Sequence, residues 1–239
     1  MSQTTHTHTH LILALDLPER DQSLQFLRRM GHHCKWVKIG LQLYTRYGKD
    51  FVREVADLGY NVFLDLKLHD IPNTVSSAIK SLSDLPIKML TLHTSGGEEM
   101  IKRAVETTKD YNPAILLLGV TVLTNLDKPA LEQIGFSQEP KDLVIRLAKM
   151  GSNAGLKGFV CSPVELPLLR EALPKDTVIV TPGIRPQGAE VFDQKRIATP
   201  SIAAKEGASY IVVGRPILES TSPQETILSI LNELQHPVK

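Results

Sequence analysis

Leu11-Ile12-Leu13-Ala14-Leu15-Asp16-Leu17-Pro18 is a short apolar run closed by a turn that holds no glycine. Such a run, bounded by a turn, is the pattern of a strand buried on both faces. If this strand opened a doubly wound sheet, the turn after it should carry a glycine-rich phosphate loop. Asp16, Leu17 and Pro18 stand there instead. Working outward, similar runs recur at 36–39, 62–66, 89–93, 115–120, 158–161, 178–181 and 210–213. Helical periodicity fills the intervals at 20–30, 45–58, 97–111, 141–150, 164–173, 201–206 and 223–234. Within 45–58, Tyr47, Phe51, Val52, Val55 and Leu58 form one stripe. A further helix runs from Pro72 to about 82, with proline well placed in its first turn. Eight strands, each followed by a helix, predict an α/β fold of the (β/α)8 TIM barrel type. The spacing of about 30 residues per unit fits a barrel of roughly 250 residues, whereas an open sheet usually needs only about five or six strands.

No linker or composition shift divides residues 1–239, so the expectation is a single catalytic domain. Within residues 4–10 Thr and His alternate, with His at 6, 8 and 10, and residues 1–9 form the expected N-terminal segment. A flexible polar N-terminus leading into the first strand explains this better than a metal site. The chain has 239 residues, 42% of them hydrophobic and 22% charged, with a net charge of +1. That balance excludes a disordered chain and a broad nucleic-acid-binding face. Two cysteines provide neither a disulfide framework nor an all-cysteine zinc site, and Cys34 and Cys161 read as reduced core thiols. The N-terminus lacks a basic segment followed by an apolar core, and no run reaches the length of a membrane helix. The expectation is a soluble cytoplasmic protein with no membrane partner.

In a (β/α)8 barrel the active site lies at the C-terminal ends of the strands. The first strand ends at Asp16, and the second carries Lys38 before Gly40. The third reads Val62-Phe63-Leu64-Asp65-Leu66-Lys67-Leu68-His69-Asp70. Alternation puts Asp65 and Lys67 on one face and the leucines on the other, so the charges point into the barrel mouth. Inward charge is costly unless paired or functional. Lys38, Asp65, Lys67 and Asp70 alternate in sign at two neighbouring strand ends, an arrangement in which a lysine can serve as an acid. His69 and His93 also lie near strand ends, and backbone-bonded structural roles are expected for them. The seventh strand ends Thr181-Pro182-Gly183-Ile184-Arg185-Pro186 and the eighth Val213-Gly214-Arg215-Pro216. The loops after these strands are the usual phosphate site of the fold. Gly183 and Gly214 would let the backbone approach a phosphate, and the arginines supply fixed charged forks.

With these residues in place, the chain resembles the orotidine 5′-phosphate decarboxylase family from Leu13 to about Arg215. The most specific stretch is Asp65-Leu66-Lys67-Leu68-His69-Asp70-Ile71-Pro72-Asn73-Thr74, which fits the family's Asp-x-Lys-x-x-Asp signature. Ala14-Leu15-Asp16, Val37-Lys38-Ile39-Gly40, Gly119-Val120-Thr121 with Leu123-Thr124, Thr181-Pro182-Gly183-Ile184-Arg185 and Val213-Gly214-Arg215 match in order. The resemblance implies that Lys67 gives a proton to the carbon that loses carbon dioxide, with Asp65 beside the departing carboxylate. It implies that Lys38 and Asp70 complete the network and that Asp16 and Lys38 touch the ribose. It further implies a homodimer in which Asp70, Ile71 and Thr74 reach the neighbouring site. Thr124 would meet the pyrimidine, Gln194 would bridge base and phosphate, and Arg185, Gly214 and Arg215 would hold the phosphate. Residues 185–199, rich in Pro, Gly and Gln but without clear period, are the expected lid. The implied ligand is a nucleotide, converted to uridine 5′-phosphate without metal or other cofactor.

Two other readings compete. Magnesium-dependent sugar-phosphate decarboxylases and aldolases of the same superfamily share the third-strand pattern and the phosphate loops. They would want a further acidic residue near the second strand, where Lys38 and Gly40 stand. A non-catalytic phosphate-binding barrel would leave the charge network without purpose.

Overall fold

The structure is a computed structural model that describes residues 9–186 and 198–235. Eight parallel strands close in sequence order into a barrel. They are β1 (His10–Ala14), β2 (Trp36–Gly40), β3 (Asn61–Leu68), β4 (Ile87–His93), β5 (Leu116–Val120), β6 (Gly158–Val160), β7 (Val178–Thr181) and β8 (Tyr210–Val213). β1 closes on β8 with His10 opposite Tyr210 and Leu13 opposite Val213. The fold is the expected (β/α)8 TIM barrel.

The helices are α1 (Arg20–Met30), α2 (Leu41–Asp57), α3 (Pro72–Leu82), α4 (Glu98–Tyr111), α5 (Lys128–Gln133), α6 (Pro140–Asn153), α7 (Leu166–Ala172), α8 (Pro200–Lys205), α9 (Arg215–Leu218) and α10 (Pro223–Gln235). In α1, Leu24, Phe26, Leu27 and Met30 are buried, while Asp21 and the Arg28, Arg29 pair sit where the helix dipole favours each charge. α3 starts on Pro72, whose missing N–H costs nothing in a first turn. Three departures from the periodicity have local causes. α2 begins at Leu41 rather than 45 and bends at Gly48, whose φ of 63° lies outside the helical region. The segment expected as one helix at 164–173 divides into a tight turn at Pro163–Glu165 and α7, because Pro167 cannot donate back along a helix. α5, too short to show a period, rests on Asp127, whose side chain accepts from Ala130 N at 3.2 Å.

Two apolar layers follow from the period of two. Outward strand residues such as Leu11, Leu13, Val37, Leu64 and Ile211 pack under the helices. Inward residues Ile12, Ala14, Phe63, Met89, Leu118, Val180 and Val212 fill the barrel itself. Trp36 anchors the N-terminal end of this filling, edge-on to Tyr210 at 5.1 Å. Cys34 and Cys161 are both buried and neither is in a disulfide, and burial pushes the Cys34 thiol up to about 11. This filling packs the lower barrel and leaves the C-terminal mouth, where the active site of this fold lies, open. At the other extreme, Thr9 donates to the carbonyl of Ala208 at 2.7 Å, which ties position 9 to the barrel. The rest of the expected flexible segment lies outside the described residues.

Candidate active site

A cavity of about 270 Å³ opens at that mouth. Asp16, Lys38, Asp65 and Lys67 line one side, and Gly183, Arg185, Gly214 and Arg215 line another. Thr124 lines it too. Strand register explains the first group. Lys38 sits opposite Ala14 on one side and Phe63 on the other, one step below Asp65, which pairs with Gly40. Gly40 keeps the way clear: a Cβ there would lie 3.1 Å from Lys38 Nζ and 3.7 Å from Asp16 Oδ1. Lys38 Nζ therefore reaches up to Asp16 Oδ1 at 3.4 Å and to Asp65 Oδ2 at 3.6 Å. Lys67 Nζ donates to both carboxylate oxygens of Asp65 at 2.9 Å. The result is a chain Asp16–Lys38–Asp65–Lys67, deepest at Asp65, which is 8% exposed.

Burial pushes the Asp65 carboxyl up, but the charges of Lys38 and Lys67 and the hydrogen bonds from Lys67 and Thr91 outweigh it and hold it below its ordinary value. A depressed folded-state pKa gives stability that is fully present above the unfolded carboxyl pKa of about 3.9 and is lost as pH falls through the folded value. The melting temperature should hold steady down to about pH 5 and fall steeply below about pH 4, and Asp65→Asn should flatten that fall. Melting curves across this range check it; superimposable acid profiles would assign the loss to other carboxylates.

Lys67 departs from regular strand geometry. Its φ is +51°, and among the described residues no other non-glycine residue has positive φ. The β3–β4 register shifts between Leu64 and Leu68 at the same place. A lysine in this region costs on the order of 1–3 kcal/mol and persists only where its surroundings hold it. Thr91, 1% exposed on β4, accepts from Lys67 N at 2.8 Å and donates to Asp65 Oδ1 at 2.9 Å.

Asp70 does not join this chain of charges. Its exposed carboxylate accepts from Ile71 N at 2.7 Å, and Ile71 is 67% exposed at the start of α3. Asp70, Ile71 and Thr74 are absent from the cavity wall. Gln194 and most of the expected lid at 185–199 lie outside the described residues. His69 and His93 face each other with ring centroids 5.3 Å apart, and among the described residues neither makes the expected backbone hydrogen bond. Burial, helped by nearby His69 and Lys67, pushes the His93 pKa down.

The phosphate side has its own local logic. Gly183 has φ of 82°, a conformation that only glycine adopts without strain, at the turn leaving β7. It brings Arg185 back into the cavity, 6% exposed, with its guanidinium donating to the Ile184 carbonyl at 3.0 Å. Gly214 follows β8 directly and leads into α9, whose first residue is Arg215. Val120, Val122, Val160 and Val180 form the apolar wall between the two charged regions. Val160 and Val180 read in the sequence as strand filling and Val122 as loop; alternation counted back from the strand ends would have placed Val120, Val160 and Val180 on the wall. Among the described residues, no three His, Cys, Asp or Glu side chains gather where they could hold a metal ion.

Comparison with known proteins agrees with this geometry. The model of the orotidine 5′-phosphate decarboxylase / HUMPS family matches residues 9–230. Orotidine 5′-phosphate decarboxylase of Opitutus terrae is 52% identical over 225 residues, which is 94% of this chain and 98% of that relative. The enzyme of the same name from Actinobacillus succinogenes is 43% identical over 92% of this chain and 95% of its own. The crystal structure of orotidine 5′-phosphate decarboxylase from Lactobacillus acidophilus superimposes with a TM-score of 0.85 at 37% identity, covering 95% of this chain and 99% of that one. The chain belongs to the orotidine 5′-phosphate decarboxylase / HUMPS family.

Proposed function

We propose that this protein decarboxylates orotidine 5′-phosphate to uridine 5′-phosphate without a metal or other cofactor, a step in making pyrimidine nucleotides. The observation that carries this reading is the Asp16–Lys38–Asp65–Lys67 chain on one side of a cavity whose other side presents Arg185 and Arg215. Loss of carbon dioxide from this substrate leaves a carbanion in the plane of the ring, where no π-system can spread the charge. Most decarboxylases supply an electron sink through a cofactor. Here the ammonium of Lys67 faces the developing carbanion and then protonates it. Asp65, ionised beside the departing carboxylate, repels it and holds Lys67 in place. Lys38 keeps Asp65 ionised and, with Asp16, meets the ribose. Thr124 meets the pyrimidine edge, and Gln194 bridges base and phosphate.

Arg185, Gly214 and Arg215 grip the phosphate far from the reacting carbon. Binding energy gathered there can act on turnover as well as affinity. Arg215→Ala should lower kcat/KM by about 10–100-fold, the worth of a charge-assisted hydrogen bond to phosphate; steady-state kinetics on orotidine 5′-phosphate checks it. The whole chain serves as one catalytic domain, working as a cytoplasmic homodimer with Asp70, Ile71 and Thr74 completing the neighbouring site.

The test is the ultraviolet loss of orotidine 5′-phosphate on adding purified protein, with and without EDTA. Turnover that EDTA leaves untouched is the expected result. Turnover abolished by EDTA, or activity only on sugar phosphates with magnesium, would overturn it. Lys38, standing on β2 where a magnesium site would want an acid, supports the metal-free outcome.

A further inference from the structure

We infer that Thr91 is a positioning residue that sets the aim of Lys67 toward the substrate. The inference rests on the decarboxylase reading of this site. Thr91 lies on β4, buried below the cavity and absent from its wall, so it does not touch substrate. Its hydroxyl has one proton to give and lone pairs to receive with. The proton goes to Asp65 Oδ1 at 2.9 Å, and the oxygen receives Lys67 N–H at 2.8 Å.

Both bonds matter because of what β3 does there. Where the β3–β4 register breaks, the Lys67 amide leaves the ladder and would be stranded without another acceptor. Thr91 supplies that acceptor, and so fixes the backbone of Lys67 at φ +51°. That conformation decides the direction in which the side chain leaves the strand. From it, Nζ comes back over the Asp65 carboxylate, within 2.9 Å of both oxygens. The second bond of Thr91 holds the same carboxylate from below. One hydroxyl therefore fixes the backbone of the acid and the position of its anionic partner. A displacement of about 1 Å in a reacting group can cost about 100-fold in rate.

Thr91→Val keeps the shape and removes the hydroxyl; Thr91→Ser keeps the hydroxyl and removes the methyl. With orotidine 5′-phosphate as substrate, Thr91→Val should lose about 10–100-fold in kcat, with KM and uridine 5′-phosphate affinity within about threefold of wild type. Thr91→Ser should stay within about threefold of wild-type kcat. Should the valine variant not fold, Thr91→Cys offers a similar volume with a poor donor and should show the same kcat loss. Wild-type kcat in a folded Thr91→Val or Thr91→Cys protein would overturn the inference and leave the decarboxylase reading standing. Equal kcat loss in the serine variant would overturn it too, since packing would then be the cause. Absence of turnover in the wild type would instead remove the functional reading, and this role with it.

Discussion

Lys67→Ala should leave a folded protein that binds uridine 5′-phosphate and turns over orotidine 5′-phosphate at least about 10⁴-fold more slowly. Two contributions vanish together. A positioned general acid is worth about 10²–10⁴-fold, and a preorganised charge aimed at the developing anion about another 10²–10³-fold. They act at the same atom, so the loss approaches their product rather than the larger of them. Binding should survive because the phosphate contacts lie on the far side of the cavity, on the turns after β7 and β8. Removing Lys67 also takes the nearest cation from Asp65 and leaves it Lys38 at 3.6 Å and the Thr91 hydroxyl. The Asp65 pKa should rise, and the variant should melt lower than wild type by an amount that shrinks with falling pH. Single-turnover kinetics and nucleotide titration separate the two readouts. Turnover within tenfold of wild type would end the role of Lys67 as proton donor.

The barrel was legible because each strand is a short apolar run and each long helix carries its own stripe. Alternation on β3 also placed Asp65 inward, above Phe63, as observed. What alternation could not show is that Lys67 reaches the cavity through a positive φ and a break in register. That break is stabilised by a hydroxyl 24 residues away on the next strand. Nothing local to Lys67 announces it, although Thr91 is a polar residue on a strand that otherwise reads Met89-Leu90-Thr91-Leu92-His93. Its inward phase, shared with Met89, was the available signal. Asp70 shows the opposite failure. Proximity in sequence grouped it with Lys38, Asp65 and Lys67, but the chain turns away after β3, and its carboxylate binds the amide of Ile71. Spacing along a strand reports direction only while the strand lasts.

That turn motivates the other large effect. Asp70→Ala should reduce kcat/KM by about 10²–10³-fold even though Asp70 is absent from the cavity wall of its own subunit. An exposed carboxylate beside an isoleucine 67% exposed, at the rim of the barrel mouth, has little to do in a single chain. In the homodimer we propose, this patch would face its copy, and each subunit would complete the other's charge chain. Mixing inactive proteins distinguishes the arrangements. When Lys67→Ala and Asp70→Ala subunits exchange, each mixed dimer holds one site with both defects and one with neither. Equal amounts exchanging at random give half mixed dimers, each half active, so about a quarter of wild-type activity should return. Self-contained sites would give no recovery at any ratio, because every site would keep one defect. The recovered activity should also fall on dilution below the dimer dissociation constant, since a composite site exists only while the two chains are together.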